Sequence, residues 1–211
     1  MLAPFLLALE FLSFYIALPL LIANRVIPNL PIPYLLAVAL GAFVILRRDP
    51  SFDSRRLFST KGIAANLRWL LLRDVVLLAL LGLAVRIFAP QLIFELIKHR
   101  PLLWVLIMVF YPLVSVYPQE VLYRAFFFHR YRALFGKGWG MIVASACAFG
   151  FVHIIFPNWV ATSLSAIGGL LFALTYRRSG SLLLACIDHA IFGNFIFTIG
   201  LGHFLYNGMR L

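Results

Sequence analysis

Residues 101–117 read PLLWVLIMVFYPLVSVY, and no charged side chain interrupts them. A helix satisfies its own backbone hydrogen bonds, and about 20 apolar residues cross the hydrocarbon core of a bilayer. This run therefore predicts a membrane-spanning helix. Six more long apolar runs, some of them with a few charged residues, occur at Pro4–Ala23, Pro31–Leu46, Trp69–Ala89, Trp139–Phe156, Trp159–Tyr176 and Ser181–Tyr206. A more polar segment, Glu120–Leu134, predicts a further, partly embedded helix, so the expected fold is an all-α transmembrane bundle of about 7–8 membrane helices.

The composition supports a membrane protein of one domain. Hydrophobic residues make up 64% of the 211 and charged residues 12%, with a mean hydropathy of +1.00. Soluble domains carry about a quarter charged residues. No Ser- or Gly-rich linker divides the chain, which predicts a single integral membrane domain over residues 1–211. Cys147 and Cys186 each lie within an apolar run, where they are interpreted as small core residues rather than as a disulfide.

Basic residues give the chain a net charge of +11, yet they occur in short clusters between the apolar runs. This distribution favours contact with anionic membrane lipids over nucleic acid as the partner. The clusters lie in alternate connections, which are expected to be cytoplasmic. The multi-pass chain then has a cytoplasmic N-terminus. The residues concerned are Arg47, Arg48, Arg55, Arg56, Lys61, Arg68, Arg130, Arg132, Lys137, Arg177 and Arg178.

Ionisable groups inside a span are costly, so each one is a candidate functional or pairing residue. Glu10, Arg73, Asp74 and Arg86 lie in the early spans and are interpreted as structural, with Asp74 pairing with Arg73 or with another helix.

Polar residues occur in three separate predicted helices of the second half of the chain. Glu120 and Arg124 lie four residues apart and so share one helix face, where an ion pair would hold the carboxylate in place. A histidine then occurs in each of two later spans, at His153 and His189. Helices that bring two imidazoles to a carboxylate can polarise water, with or without a metal ion. The pattern therefore predicts a hydrolytic site inside the membrane.

These residues resemble the motifs of the CPBP (Abi) intramembrane proteases, which include the type II CAAX prenyl endopeptidases and bacteriocin-processing proteins. The likeness covers about Pro101 to Asn194, with a catalytic-like core over about 101–207. The family pattern E-E-x-x-x-R, F-x-x-x-H and H-x-x-x-N is approached by Gln119, Glu120, Arg124, Phe149, His153, His189 and Asn194.

The resemblance implies a role for each of these residues. In the family, a glutamate of the first motif activates water, the two histidines assist, and the asparagine holds the oxyanion. The implied catalytic residues are Glu120, His153, His189 and Asn194, with Gln119, Arg124 and Phe149 in support. The implied partner, besides membrane lipids, is a membrane-associated or lipidated protein or peptide substrate.

The chain departs from the family pattern at two places. Gln119 replaces the leading glutamate, and an amide is not a general base. Either Glu120 activates water, which requires a rotated or irregular helix, or the protein is a noncatalytic binding or assembly factor. At the third motif, Gly193 follows His189 by four residues and Asn194 by five, about 140° around an ideal helix. A π-bulge near Gly193 would align Asn194, and the pair His203 and Asn207 is a lower-ranked alternative with the literal spacing.

Two further questions stay open at this level. Two histidines and a glutamate could bind zinc, but the signature H-E-x-x-H is absent, so no metal site is assigned and the cofactor is unknown. A proton-coupled transporter is a third functional class, although no internal repeat supports it.

Overall fold

The computed structural model describes residues 4–206. Within this range the chain forms helices and no strands, so the prediction of an all-α bundle is confirmed. The helices are α1 (Pro4–Ala23), α2 (Pro31–Arg48), α3 (Ile63–Phe88), α4 (Glu95–His99), α5 (Pro101–Arg130), α6 (Arg132–Phe135), α7 (Trp139–Val152), α8 (Trp159–Ser179) and α9 (Leu182–Thr198). Short 3₁₀ turns follow at Ser54–Leu57, Pro90–Leu92, His153–Ile155 and Leu201–Phe204.

Four of these helices, α1, α2, α5 and α8, are long and apolar enough to cross a membrane. The chain bends by 112° between α3 and the segment Pro90–His99, and this bent pair has the form of a broken span or a re-entrant loop. The bend falls at Pro90 because proline cannot donate the next helical hydrogen bond. The helices α7 and α9 are apolar but shorter. All seven predicted apolar runs are therefore helical, although their lengths differ.

The predicted separate helix Glu120–Leu134 is wrong, because α5 continues through this region to Arg130. Two π-helical segments, Pro112–Val116 and Val121–Phe126, carry the helix past its internal prolines. A π turn accommodates an extra residue and shifts the orientation of the side chains beyond it. The backbone is thus irregular before and after Gln119 and Glu120, but these two residues themselves lie in the α-helical turn Tyr117–Glu120.

Glycines bring α7 and α8 into close contact. A Cβ added at Gly150 would lie 2.7 Å from the Cβ of Ala166, and one added at Gly169 would lie 3.1 Å from the Cα of Ala146. Small residues at such crossings let helices in a membrane approach closely. This contact positions the C-terminal end of α7. Cys147, on the same helix, is exposed and Cys186 is partly buried, which corrects the expected core position of Cys147.

Charged residues of the early spans pair with later helices, as their structural interpretation predicted. The Nη2 atom of Arg73 lies 2.7 Å from Oδ1 of Asp74 and 2.6 Å from Oδ1 of Asp188. The hydroxyl of Thr175 donates to the other oxygen of Asp188 at 2.5 Å. These bonds join α3, α8 and α9 and fix the orientation of α9. Arg130, at the end of α5, donates two hydrogen bonds to Glu10 of α1.

Candidate active site

A cavity of about 960 Å³ lies between α1, α2, α3, α5, α7, α8 and α9. Most of its wall is apolar, and a small group of polar side chains converges on it. These side chains are Tyr111, Ser115, Gln119, Tyr123, His153 and His189. A large apolar cavity with a few converging polar groups is the usual form of a binding or active site.

A carboxylate and an imidazole meet at the inner wall of this cavity. Oε1 of Glu120 lies 2.9 Å from Nδ1 of His189, which joins α5 to α9. A carboxylate accepts hydrogen bonds, so in a neutral His189 imidazole Nδ1 is the donor to Glu120 and Nε2 is the acceptor. The His189 ring also stacks on Phe172 at 4.4 Å between centroids. Glu120 and the aromatic ring together fix the tautomer and the orientation of His189.

Arg124 balances the charge of Glu120. Its Nε lies 3.2 Å from Oε2 of Glu120, and both side chains are completely buried. The guanidinium also donates to the hydroxyl of Ser145 at 3.3 Å and lies 5.0 Å from the centre of the Phe149 ring. The pair E-x-x-x-R therefore forms an internal ion pair, as its four-residue spacing predicted. Removing either member would leave a buried charge without its partner.

His153 lies where α7 ends and the 3₁₀ turn begins. Its Nδ1 lies 2.7 Å from the carbonyl oxygen of Phe149, four residues earlier, so Nδ1 donates the proton. The Nε2 atom then carries a lone pair, and the side chain lines the cavity. The Phe149 ring contacts both imidazoles, with centroid distances of 5.0 Å to His153 and 5.4 Å to His189. The motif F-x-x-x-H thus places an aromatic spacer between the two histidines.

Gln119 and Glu120 are adjacent in the chain but have different surroundings. Gln119 lines the cavity, and its Nε2 donates to the Ser115 hydroxyl at 2.6 Å. Its Oε1 is buried and has no hydrogen-bond partner among residues 4–206. Glu120 lies behind the wall and reaches the cavity only through His189. The expected direct contact between the Glu120 carboxylate and substrate water is therefore absent from this geometry.

The structure separates Asn194 from the other motif residues. Its amide nitrogen donates to the carbonyl oxygen of Met108 at 3.4 Å, and the side chain is not part of the cavity wall. The helix α9 is α-helical from Leu182 to Thr198, so the π-bulge predicted near Gly193 does not form. The alternative His203 lies outside the cavity wall with Nδ1 against the Gly200 carbonyl, and Asn207 lies outside the described residues.

Two further polar residues, Asp188 and Tyr111, lie next to His189. Asp188 precedes His189 directly in the chain, but its carboxylate accepts hydrogen bonds from Arg73 and Thr175 and does not line the cavity. Tyr111 was missed, although its hydroxyl oxygen lies 3.0 Å from Nε2 of His189. Spacing did not point to Tyr111, because it precedes Gln119 by eight residues, about 80° around an ideal helix, and the π segment Pro112–Val116 between them alters that angle.

Metal ligands do not cluster at this site or elsewhere in residues 4–206. No group of three or more His, Cys, Asp or Glu side chains there is positioned to hold a metal ion. The chemistry available from the chain itself is that of two imidazoles, one held by a carboxylate, beside an amide and a phenol.

Comparison with known proteins matches residues 101–196 to the family described as type II CAAX prenyl endopeptidase Rce1-like. The matched segment contains α5, α6, α7, α8 and most of α9, and with them the six polar side chains that converge on the cavity. Neither the curated proteins nor the solved structures contain a match to the chain.

Proposed function

We propose, since residues 101–196 match the type II CAAX prenyl endopeptidase family, that the chain hydrolyses a peptide bond of a membrane-associated or lipidated substrate. The observation that carries this proposal is the convergence of His153 and His189 on one apolar cavity, with Glu120 bonded to His189. A protease needs a base near the attacking water and a donor near the carbonyl oxygen. This cavity wall offers both.

His153 is the proposed general base. Its Nδ1–H is held by the Phe149 carbonyl, and its Nε2 is free to accept a proton from water in the cavity. The water oxygen forms a bond to the substrate carbonyl carbon, and the carbonyl electron pair moves to oxygen. When the tetrahedral intermediate collapses, the C–N bond breaks and the imidazolium of His153 gives its proton to the leaving nitrogen. Atoms and charge balance without a further reactant.

Glu120 is proposed to act through His189 rather than on water. A general base must lie within hydrogen-bond reach of the proton that it removes. The Glu120 carboxylate is fully buried and already accepts from His189. Its role is to hold the His189 imidazole and to balance Arg124. Gln119, which does face the cavity, can donate through its amide but cannot accept the proton as a base.

The cavity supports an extended, apolar substrate. A helical substrate hides its carbonyl groups in its own hydrogen bonds, so the cleaved segment is extended when it binds. The apolar wall suits a lipid anchor or a run of aliphatic side chains next to the cleaved bond. Prenylated CAAX tails and precursors anchored in the membrane both have this chemistry.

The test is a comparison of membrane peptides with and without active protein. Native membranes are prepared from cells that express the wild type, His153→Ala, His189→Ala or, as a matched control, His203→Ala, whose imidazole lies outside the cavity. We expect products in the wild type and in the control. Loss of a general base lowers the rate by roughly 10²–10⁴-fold, so precursors should accumulate uncut in the first two variants. Equal processing in all four samples, at equal protein levels, would refute the proposal.

A binding or assembly factor is the second candidate, and Gln119 favours it, because the cavity carries an amide where the family pattern has a carboxylate. In this case, a photo-crosslinking residue placed at the cavity wall would capture a partner protein equally in the wild type and in His153→Ala, and no cleavage product would form in either.

A further inference from the structure

The phenol of Tyr111 occupies the space of a side chain that α9 lacks. Gly193 is the fourth residue after His189, the position at which the family pattern has its asparagine. A Cβ added at Gly193 would lie 2.3 Å from Cε1 and 2.5 Å from the hydroxyl oxygen of Tyr111. Any side chain at position 193 would therefore displace the Tyr111 ring. The glycine and the tyrosine form one packing unit, contributed by α9 and α5.

The Tyr111 hydroxyl also has a defined hydrogen-bond direction. Nδ1 of His189 donates to Glu120, so Nε2 accepts and the phenol donates to it, over 3.0 Å. A continuous chain of contacts then runs from Arg124 through Glu120 and His189 to Tyr111. The tyrosine ring is held edge-on by Phe197, with 5.4 Å between centroids. Its hydroxyl is thereby fixed at the cavity wall, close to the imidazole.

We propose that the Tyr111 hydroxyl supplies, from α5, the hydrogen bond to the oxyanion that the H-x-x-x-N pattern assigns to an amide on α9. Asn194 is oriented toward Met108 and does not line the cavity, whereas Tyr111 does. In the resting site the phenol donates to His189, and when water adds to the substrate it donates to the negatively charged oxygen. This inference rests on the proposed protease function and identifies a catalytic residue for it.

The first test separates the hydroxyl from the ring. The variants Tyr111→Phe and, as a matched control, Tyr117→Phe are reconstituted in liposomes with an internally quenched peptide that carries a farnesylated cysteine followed by three aliphatic residues. The Tyr117 hydroxyl is buried without a hydrogen-bond partner among the described residues and lies outside the cavity wall. Losing one oxyanion donor lowers kcat by about 10²–10³-fold. We expect this loss in Tyr111→Phe, with KM within about twofold, and wild-type kcat in the control.

Binding of a tetrahedral mimic distinguishes the two proposals. A phosphinic analogue of the same peptide, with the phosphinate in place of the cleaved amide, should bind Tyr111→Phe more weakly than the wild type by a similar factor, and the uncleaved peptide should bind both equally. A wild type that cleaves the peptide and a Tyr111→Phe variant with unchanged kcat and mimic affinity would overturn the role of Tyr111 alone. A wild type that neither cleaves the peptide nor prefers its mimic would overturn both proposals for this substrate class.

The second test exchanges the donor between helices. In Gly193→Asn the new side chain collides with Tyr111, and we expect activity to fall. Tyr111→Ala removes the donor and opens the space, so Tyr111→Ala/Gly193→Asn should be more active than Tyr111→Ala, because the amide then takes the place of the phenol. Size-exclusion profiles in detergent establish that the variants fold. A folded double variant no more active than Tyr111→Ala would contradict the exchange of donors.

Discussion

The hydrogen bond between Glu120 and His189 crosses from α5 to α9 over 2.9 Å and is completely buried on the glutamate side. It is the one direct link between the first and third motifs among the described residues. Because Arg124 lies on the other side of the same carboxylate, the glutamate joins a cation to an imidazole.

The ion pair of Glu120 and Arg124 predicts a specific pattern of stability. Arg124→Met leaves the buried carboxylate without its cation, which costs about 3–5 kcal/mol when such pairs are broken. The double variant Glu120→Leu/Arg124→Met removes both charges and should recover most of that loss. Thermal unfolding in detergent measures the effect, with the exposed Arg132→Met as control. A double variant as unstable as the single one would show that the pair is not the cause.

Gln119→Glu should raise the activity of the protein. The side chain at position 119 faces the cavity, so a carboxylate there can accept a proton from water, which the amide cannot. We expect kcat toward the farnesylated peptide to rise by about tenfold, which is less than the 10²–10⁴-fold effect of a general base because His153 already serves as one. The control is Gln91→Glu, which adds the same charge at an exposed position. An unchanged or lower kcat would mean that His153 alone activates the water.

A side chain added at Gly150, in the contact between α7 and α8, should destabilise the protein. In Gly150→Ala the new methyl group would lie 2.7 Å from the Cβ of Ala166, and overpacking of this kind costs about 1–3 kcal/mol. The helix that carries His153 would shift with it. Gly41→Ala is the matched control, since no atom lies within 4 Å of its added Cβ and alanine is the better helix former. Equal unfolding temperatures for the two variants would contradict this prediction.

We propose that the cavity opens on the side of the membrane opposite to the basic connections. Its wall includes Asn29 in the connection between α1 and α2, whereas Arg55, Arg56 and Lys61 lie at the other end of α2. The positive-inside rule predicts that the end of α2 with these basic residues is cytoplasmic.

Cysteine labelling in intact cells tests this orientation. With Cys147 and Cys186 replaced by serine, an impermeant maleimide should label Asn29→Cys directly and Thr60→Cys only after the membrane is permeabilised. Both parent side chains are exposed, so labelling depends on the side of the membrane. The reverse result would place the cavity opening and the N-terminus on the opposite sides to those proposed.

The sequence alone predicted the all-α fold, the apolar runs, the ion pair E-x-x-x-R and the residues of three motifs, because hydrophobicity and helical spacing are local properties. Family resemblance then added roles to these residues. The sequence pattern could not predict that α5 is one helix. The π segments at Pro112–Val116 and Val121–Phe126 keep it continuous, and they depend on how the helix packs.

Only the tertiary structure decided which polar groups meet. Gln119 and Glu120 are neighbours in the chain, but the Gln119 side chain lines the cavity and the Glu120 carboxylate contacts His189. Asn194 turns to Met108, and Tyr111, from a helix about 80 positions earlier in the chain, enters the gap left by Gly193. Spacing along one helix sets the direction of a side chain relative to its own axis, but the partner across the gap depends on how neighbouring helices rotate and approach, which long-range packing determines.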